Sequence, residues 1–189
     1  MSIWSADGWF GEATRSASPN FGMRSSGIPV SLVVVHNISL PPEEFGGPWV
    51  EDFFLNRLNV AVHPYFQTIS EMQVSSHFFI RRDGQAIQFV SCDDRAWHAG
   101  ASSWRGQENC NDYSVGIELE GTDALPYTEA QYAAFWPLID ALRRRYPIKA
   151  IAGHCHIAPL RKSDPGPAFD WSAVRQKYPD LDLPAEVLA

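Results

Sequence analysis

Two short apolar runs in this chain end on histidine: SLVVVHN, Ser31 to Asn37, carries His36, and AIAGH, Ala150 to His154, ends on His154. In sheets flanked by helices, ligands and catalytic groups collect at the carboxyl ends of strands. A rigid strand end suits metal binding, because a ligand already held in place loses little entropy on coordination. The other four histidines, His63, His77, His98 and His156, lack that placement, and a histidine taken alone is more often structural than a ligand. A catalytic zinc takes three protein ligands and keeps a fourth position for water. The strand-end histidines supply two. Cys155, His156 and Asp164 are candidates for the third, and spacing does not choose among them. On an extended chain Cys155 should point away from His154, whereas His156 could point the same way. Asp164 lies in RKSDPGP, where two prolines stiffen the backbone and could hold a hard oxygen ligand.

A metal-dependent hydrolase also needs a proton carrier and a cation. SVGIELEG, Ser114 to Gly121, sets Val115, Ile117 and Leu119 against Gly116, Glu118 and Glu120. The period of two predicts one buried face, with both glutamates on the other, exposed or facing a cleft. A carboxylate on a central strand is costly unless it is paired or functional. Lys162, two residues before Asp164, would bring a positive charge close to any metal held by that aspartate.

These residues need a scaffold. The β-branched run SLVVVHN reads as a strand covered on both faces. HFFIRRDGQAIQFVS, His77 to Ser91, reads as a hairpin turning at Asp83-Gly84. Pro48 to Leu58 predicts a short helix with proline at its first position. From Thr128 a capping box with Gln131 opens a helix with Tyr132, Phe135, Trp136, Ile139 and Leu142 at helical spacing. Pro137 should kink or split it. Arg143, Arg144 and Arg145 fall at its end, where positive charge complements the helix dipole. A proline-rich loop then leads to a final helix from about Asp170 to Tyr178. Strands and helices interleave, so the fold class expected is α/β, a mixed β-sheet flanked by helices.

The 189 residues, 45% hydrophobic, suffice for one domain over 1–189, with its core in about 28–180. A net charge of -7 argues against nucleic acid as a partner, since phosphate binding draws on clustered lysine and arginine. No secretory leader and no membrane-spanning run is evident, so a soluble cytoplasmic monomer is expected. The odd number of cysteines, Cys92, Cys110 and Cys155, argues for reduced thiols rather than a disulfide framework.

Five stretches in order are specific: VVHNISLPPEEFGGPW (Val34 to Trp49), IRRDG (Ile80 to Gly84), RAWHAG (Arg95 to Gly100), CNDYSVGIELEGTD (Cys110 to Asp123) and GHCHIAPLRKSDPGPAFDW (Gly153 to Trp171). Together they resemble the zinc-dependent N-acetylmuramoyl-L-alanine amidase and peptidoglycan-recognition superfamily, and within it the cytosolic amidases of anhydro-muropeptides. The resemblance implies one Zn2+ per chain held by His36, His154 and Asp164, with catalytic roles for Glu118 and Lys162. It implies cleavage of the amide between 1,6-anhydro-N-acetylmuramic acid and L-alanine, in peptidoglycan recycling and thereby in control of β-lactamase induction. Asn37, Tyr65 and Trp97 are the candidate substrate-binding residues. Two positions depart from the family, which carries arginine where this chain has Gln73 and Asn109; those arginines are expected to hold stem-peptide carboxylates. Arg81, Arg82, Arg95 or Arg105 could compensate. His156 stands where aspartate is common. Three other readings compete: an amidase acting on intact wall or on phage-lysis substrates, which would need an export route or a phage context; a metal-free muropeptide-binding module, of a kind that usually lacks a zinc ligand; and a plain structural domain, which would not need His36, Glu118, His154, Lys162 and Asp164 together.

Overall fold

The computed structural model describes residues 3–185. Its centre is a six-stranded sheet built from β1 (Thr14–Arg15), β3 (Leu32–Ile38), β4 (Phe78–Ile80), β5 (Ala86–Gln88), β9 (Ser114–Glu120) and β10 (Ala150–Gly153). The strand order is β1-β5-β4-β9-β3-β10, and only β4 with β5 is antiparallel. The mixed sheet flanked by helices expected from the sequence is therefore present. Small ribbons complete the strand count: β2 (Phe21–Met23) pairs with β6 (Asp94–Ala96), and β7 (Ser103–Trp104) with β8 (Gln107–Glu108).

The two longest strands, β3 and β9, lie side by side in parallel at the middle of the sheet. Their residues alternate between two cores. Val33, Val35, Val115 and Ile117 pack with Phe135, Leu138, Ile139 and Leu142 of helix α3 (Glu129–Arg145). Leu32 and Val34 face the opposite way, against Ala99, Cys110 and Tyr113. Every residue of β9 is buried, so the expectation of one buried and one open face is corrected. As a central strand it has layers on both sides, and its glutamates are enclosed with the rest. Glu120 is satisfied there, accepting from the backbone amides of Gly46 and Arg82.

Helix α3 starts as predicted, with Thr128 and Gln131 capping each other reciprocally, and it ends on the three arginines. It is not split at Pro137, which lies inside one continuous 17-residue helix. The proline removes one amide donor, but the buried side chains on either side of it, Phe135, Leu138 and Ile139, anchor both halves to the sheet. Helix α1 (Trp49–Phe54) is shorter than the Pro48 to Leu58 span, with Pro48 as its N-cap. It stops where Asn56 takes a positive φ of 56°. A second short helix, α2 (Pro64–Ile69), follows in the same 42–76 region.

The hairpin forms as read, β4 to β5, with Gly84 at φ 88° in its turn. The last helix, α5 (Trp171–Lys177), is capped by Asp170. The strand read as ending on His154 ends instead at Gly153, and His154 opens a one-turn helix, α4 (His154–Ile157). The Gly153 amide donates to His156 Nδ1 at 2.9 Å, and the Ala158 amide to the His154 carbonyl at 2.9 Å, closing that turn. All three cysteines are free thiols. No helix of the described residues is long and apolar enough to cross a membrane.

Candidate metal centre and active-site cleft

The register of the central strands decides the site. His36 on β3 pairs directly with Glu118 on β9, and residues level with each other on adjacent strands point to the same side of a sheet. Both therefore emerge near the carboxyl ends of their strands, with 4.0 Å between His36 Nδ1 and Glu118 Oε1. Parallel β10, on the other side of β3, delivers His154 one residue beyond its end.

Asp164 arrives from the proline-rich loop after α4. Its carbonyl accepts from the Cys155 amide at 2.8 Å, and the Pro165 carbonyl accepts from the Tyr127 hydroxyl at 2.7 Å. Gly166, at φ +75°, lets the loop press onto Asp123; a Cβ there would fall 2.2 Å from the Asp123 Cα. These three contacts hold the aspartate against the two imidazoles.

The donor atoms form a nearly equilateral triangle. His36 Nδ1 lies 3.0 Å from His154 Nδ1, and Asp164 Oδ2 lies 3.2 Å and 3.1 Å from these two nitrogens. Zinc bonds of about 2.0–2.1 Å in a tetrahedron place neighbouring ligand atoms about 3.3 Å apart. The protonation states fit a cation too. His154 Nε2 meets the Ala99 carbonyl at 3.3 Å; a carbonyl only accepts, so Nε2 donates to it, and in the neutral ring Nδ1 is the acceptor that faces the triangle. Burial pushes His36 down to about 4, leaving it neutral near pH 7. Desolvation raises Asp164, but its contacts with His154 and His36 outweigh that and hold it below the usual carboxylate range. Three groups that accept, enclosed together, call for a positive ion between them. These residues are the group that could hold a metal.

His156 and Cys155, the alternatives for the third position, are not in that group. The His156 ring turns back to accept from Gly153 and stands edge-on to Trp171, 5.2 Å between centroids. Both residues line a separate groove of about 790 Å³ on the outer side of the loop, with Trp171 and Arg175.

A cleft of about 350 Å³ opens over the triangle. His36, Glu118, His154, Asp164 and the exposed Lys162 line it. Asn37, Tyr65 and Trp97 line it too, so all eight residues singled out in the sequence meet in one place. Ile38, Leu40, Phe53, Ile69 and Val74 make one wall apolar. Asn37 donates to Asp123 at 2.8 Å, Tyr65 is exposed on α2, and Trp97 is held by paired hydrogen bonds with Ser75.

Glu118 is 8% exposed, and its Oε2 is buried with no hydrogen-bond partner among the described residues. Burial first, and then the charge of Asp164, raise its pKa well above the ordinary value, while Lys162 pulls it down. A carboxyl so placed carries a proton readily and releases it when positive charge arrives beside it.

Gln73 lies outside this cleft, exposed beside Met72 and Asn56 in a shallow depression, and Asn109 stands at a positive φ of 57° outside it as well. None of the four arginines considered as substitutes lines the cleft. Arg81 binds Glu51 and the Gly47 carbonyl, Arg82 the Pro126 carbonyl, Arg95 Asp112, and Arg105 Asp182.

One participant escaped the sequence reading. His98, in RAWHAG, sits directly behind His36, with 2.9 Å between His36 Nε2 and His98 Nδ1. The available clue was Gly116 among larger residues on β9: a Cβ there would lie 2.5 Å from the His98 ring.

Residues 26–167 match the family model for N-acetylmuramoyl-L-alanine amidase. The chain is 54% identical over 171 residues to a Citrobacter freundii protein named 1,6-anhydro-N-acetylmuramyl-L-alanine amidase AmpD, covering 89% of this chain and 91% of that one. Among solved structures, a crystal structure of a selenomethionine AmpD derivative superimposes with a TM-score of 0.87 at 53% identity, over 90% of this chain and 96% of the other. The Escherichia coli amidase AmiD, solved with anhydro-N-acetylmuramic acid-L-Ala-D-γ-Glu-L-Lys, gives 0.59 at 30% identity, over 82% of this chain and 60% of AmiD. Matched by its family model over most of its length and by close relatives over nearly all of it, this chain belongs to the N-acetylmuramoyl-L-alanine amidase family.

Proposed function

We propose that this chain is a zinc-dependent amidase that cuts the bond between the lactyl carbonyl of 1,6-anhydro-N-acetylmuramic acid and the L-alanine nitrogen of the stem peptide. The observation that carries the reading is the triangle of His36, His154 and Asp164 donor atoms, 3.0–3.2 Å on a side, beside a buried glutamate. The substrate follows from the relatives, AmpD by its name and AmiD by its bound ligand.

Two imidazoles and one carboxylate would hold the zinc and leave it a net positive charge. When bound, zinc polarises the scissile carbonyl and brings the pKa of water from about 15.7 toward about 7. Glu118 takes the proton of the attacking water as its oxygen adds to the carbonyl carbon. Lys162, which lines the cleft, donates to the oxyanion that forms. Glu118 then delivers its proton to the alanine nitrogen as the C–N bond breaks, giving the lactyl carboxylic acid, which loses its proton to solvent, and a free peptide amine. Asn37 orients the substrate, while Tyr65, Trp97 and the apolar wall cover it and exclude bulk water.

The reaction belongs to recycling of wall fragments in the cytoplasm, where its loss would raise the muropeptides that induce β-lactamase. The experiment is incubation with anhydro-muramyl tripeptide, with and without a chelator, following the released peptide by mass spectrometry. Release that stops with chelator and returns with zinc supports the proposal; no release from folded, zinc-loaded protein overturns it.

A further inference from the structure

We infer that His98 is a positioning residue for the metal centre, the middle member of a hydrogen-bond relay that fixes which nitrogen of His36 meets the metal. The inference rests on the metal-centre reading above. The relay starts at a group that cannot donate, the Cys110 carbonyl, 2.6 Å from Ser114 Oγ. The single hydroxyl proton of Ser114 is committed to that oxygen, so Ser114 can only accept from His98 Nε2, 3.1 Å away. His98 is therefore protonated on Nε2 and, being neutral, presents a lone pair at Nδ1. His36 Nε2 lies 2.9 Å from that lone pair and must carry the proton between them. The remaining nitrogen of His36, Nδ1, is left bare toward His154 and Asp164.

The backbone enforces the same outcome for the second histidine. Asn111 Oδ1 accepts from the amides of both His98 and Ala99, at 3.1 and 2.8 Å. That double contact fixes the segment from which the Ala99 carbonyl meets His154 Nε2. One clamped dipeptide thus supplies the outer acceptors of both ligand imidazoles. His98 reaches His36 only because Gly116 leaves room for its ring over β9. Such outer partners orient ligand imidazoles and raise their basicity, and losing one typically weakens metal binding about 10- to 100-fold.

The first readout needs no variant: 15N NMR of the histidine side chains in the metal-free wild type at neutral pH. The relay requires Nε2–H tautomers for both His36 and His98. An Nδ1–H tautomer at either ring overturns it. The second readout is zinc affinity by chelator competition. His98→Phe, which keeps a ring but removes the acceptor, is expected to weaken zinc about 10- to 100-fold. Ser114→Ala is expected to lose affinity in the same direction, and Ser114→Thr to restore it. A merely structural role would lower the melting temperature of the metal-free variants and leave affinity and tautomers unchanged. Folded variants that bind zinc within about threefold of wild type overturn the relay alone. A wild-type chain that binds no zinc overturns the metal-centre reading and the relay with it.

Discussion

At the scale of single residues, the proposed mechanism separates metal binding from proton transfer. Glu118 stands 4.0 Å from His36 Nδ1 but is not in the metal-holding group. Glu118→Gln keeps the shape and removes the base. Its rate is expected to fall by about 10²- to 10⁴-fold with zinc content unchanged, checked by peptide release and metal analysis on the same sample. His36→Ala should lose the metal itself. Lys162→Ala removes an exposed cation that faces the cleft, and its expected cost is about 10²- to 10³-fold in turnover. The candidate ligands and these two groups stand out in the sequence because their motifs are long and ordered. The third ligand does not follow from spacing. His154 begins a helical turn instead of ending a strand, and that turn swings His156 away to accept from the Gly153 amide. Extended-chain geometry, the only guide available from sequence, does not apply there.

Among the elements, local signals read well and long-range ones poorly. The capping box of α3, the β4–β5 hairpin and the buried run of β3 depend on neighbours in the chain, and each forms where the residues indicate. The contacts of His98 with His36 and Ser114 span 62 and 16 residues. They exist because the loop after β6, clamped by Asn111, folds back over β3 and β9, a placement that a single chain does not display. The enclosure of β9 is of the same kind, a consequence of its central position. Close approach makes the elements sensitive at their glycines. Gly116→Ala would push a Cβ into the His98 ring and should cost about 1–3 kcal/mol in chemical denaturation. Gly166→Ala forces both a strained φ and a collision with the Asp123 backbone. It should lower stability and zinc affinity together, because Asp164 rides on the same loop.

For the whole molecule, the buried imidazoles set the response to acid. Burial first holds His36, His77 and His98 below their ordinary pKa of 6.5. Each stays neutral in the fold and takes up a proton on unfolding as pH falls below 6.5. Their stabilisation is complete above 6.5 and is lost as pH falls toward the folded values, about 4 for His36. Glu118 acts oppositely: its raised pKa stabilises the metal-free fold below 4.5, and that contribution is lost as pH rises. Between 4.5 and 6.5 these three histidines, joined by His156, whose pKa burial also lowers, take up more protons on unfolding than Glu118 and Asp94, whose pKa values burial raises, release. The metal-free protein should therefore gain stability with pH through this window and lose some of it above, as urea titrations across pH would reveal. A stability that falls from pH 4.5 to 6.5 would contradict the buried neutral imidazoles.

The pairing of His36 with Glu118 on neighbouring strands makes the sheet a ruler for the reaction. Their separation is set by one rung of backbone hydrogen bonds, and no rearrangement of surrounding loops can alter it without sliding a central strand. The apolar wall of the cleft, by contrast, comes largely from residues 38–74. Much of the cleft wall is thus carried by a part of the chain separate from that rung. A graft that exchanges 42–76 for the matching segment of another amidase would replace much of that wall while the spacing of His36 and Glu118 stayed where the rung puts it.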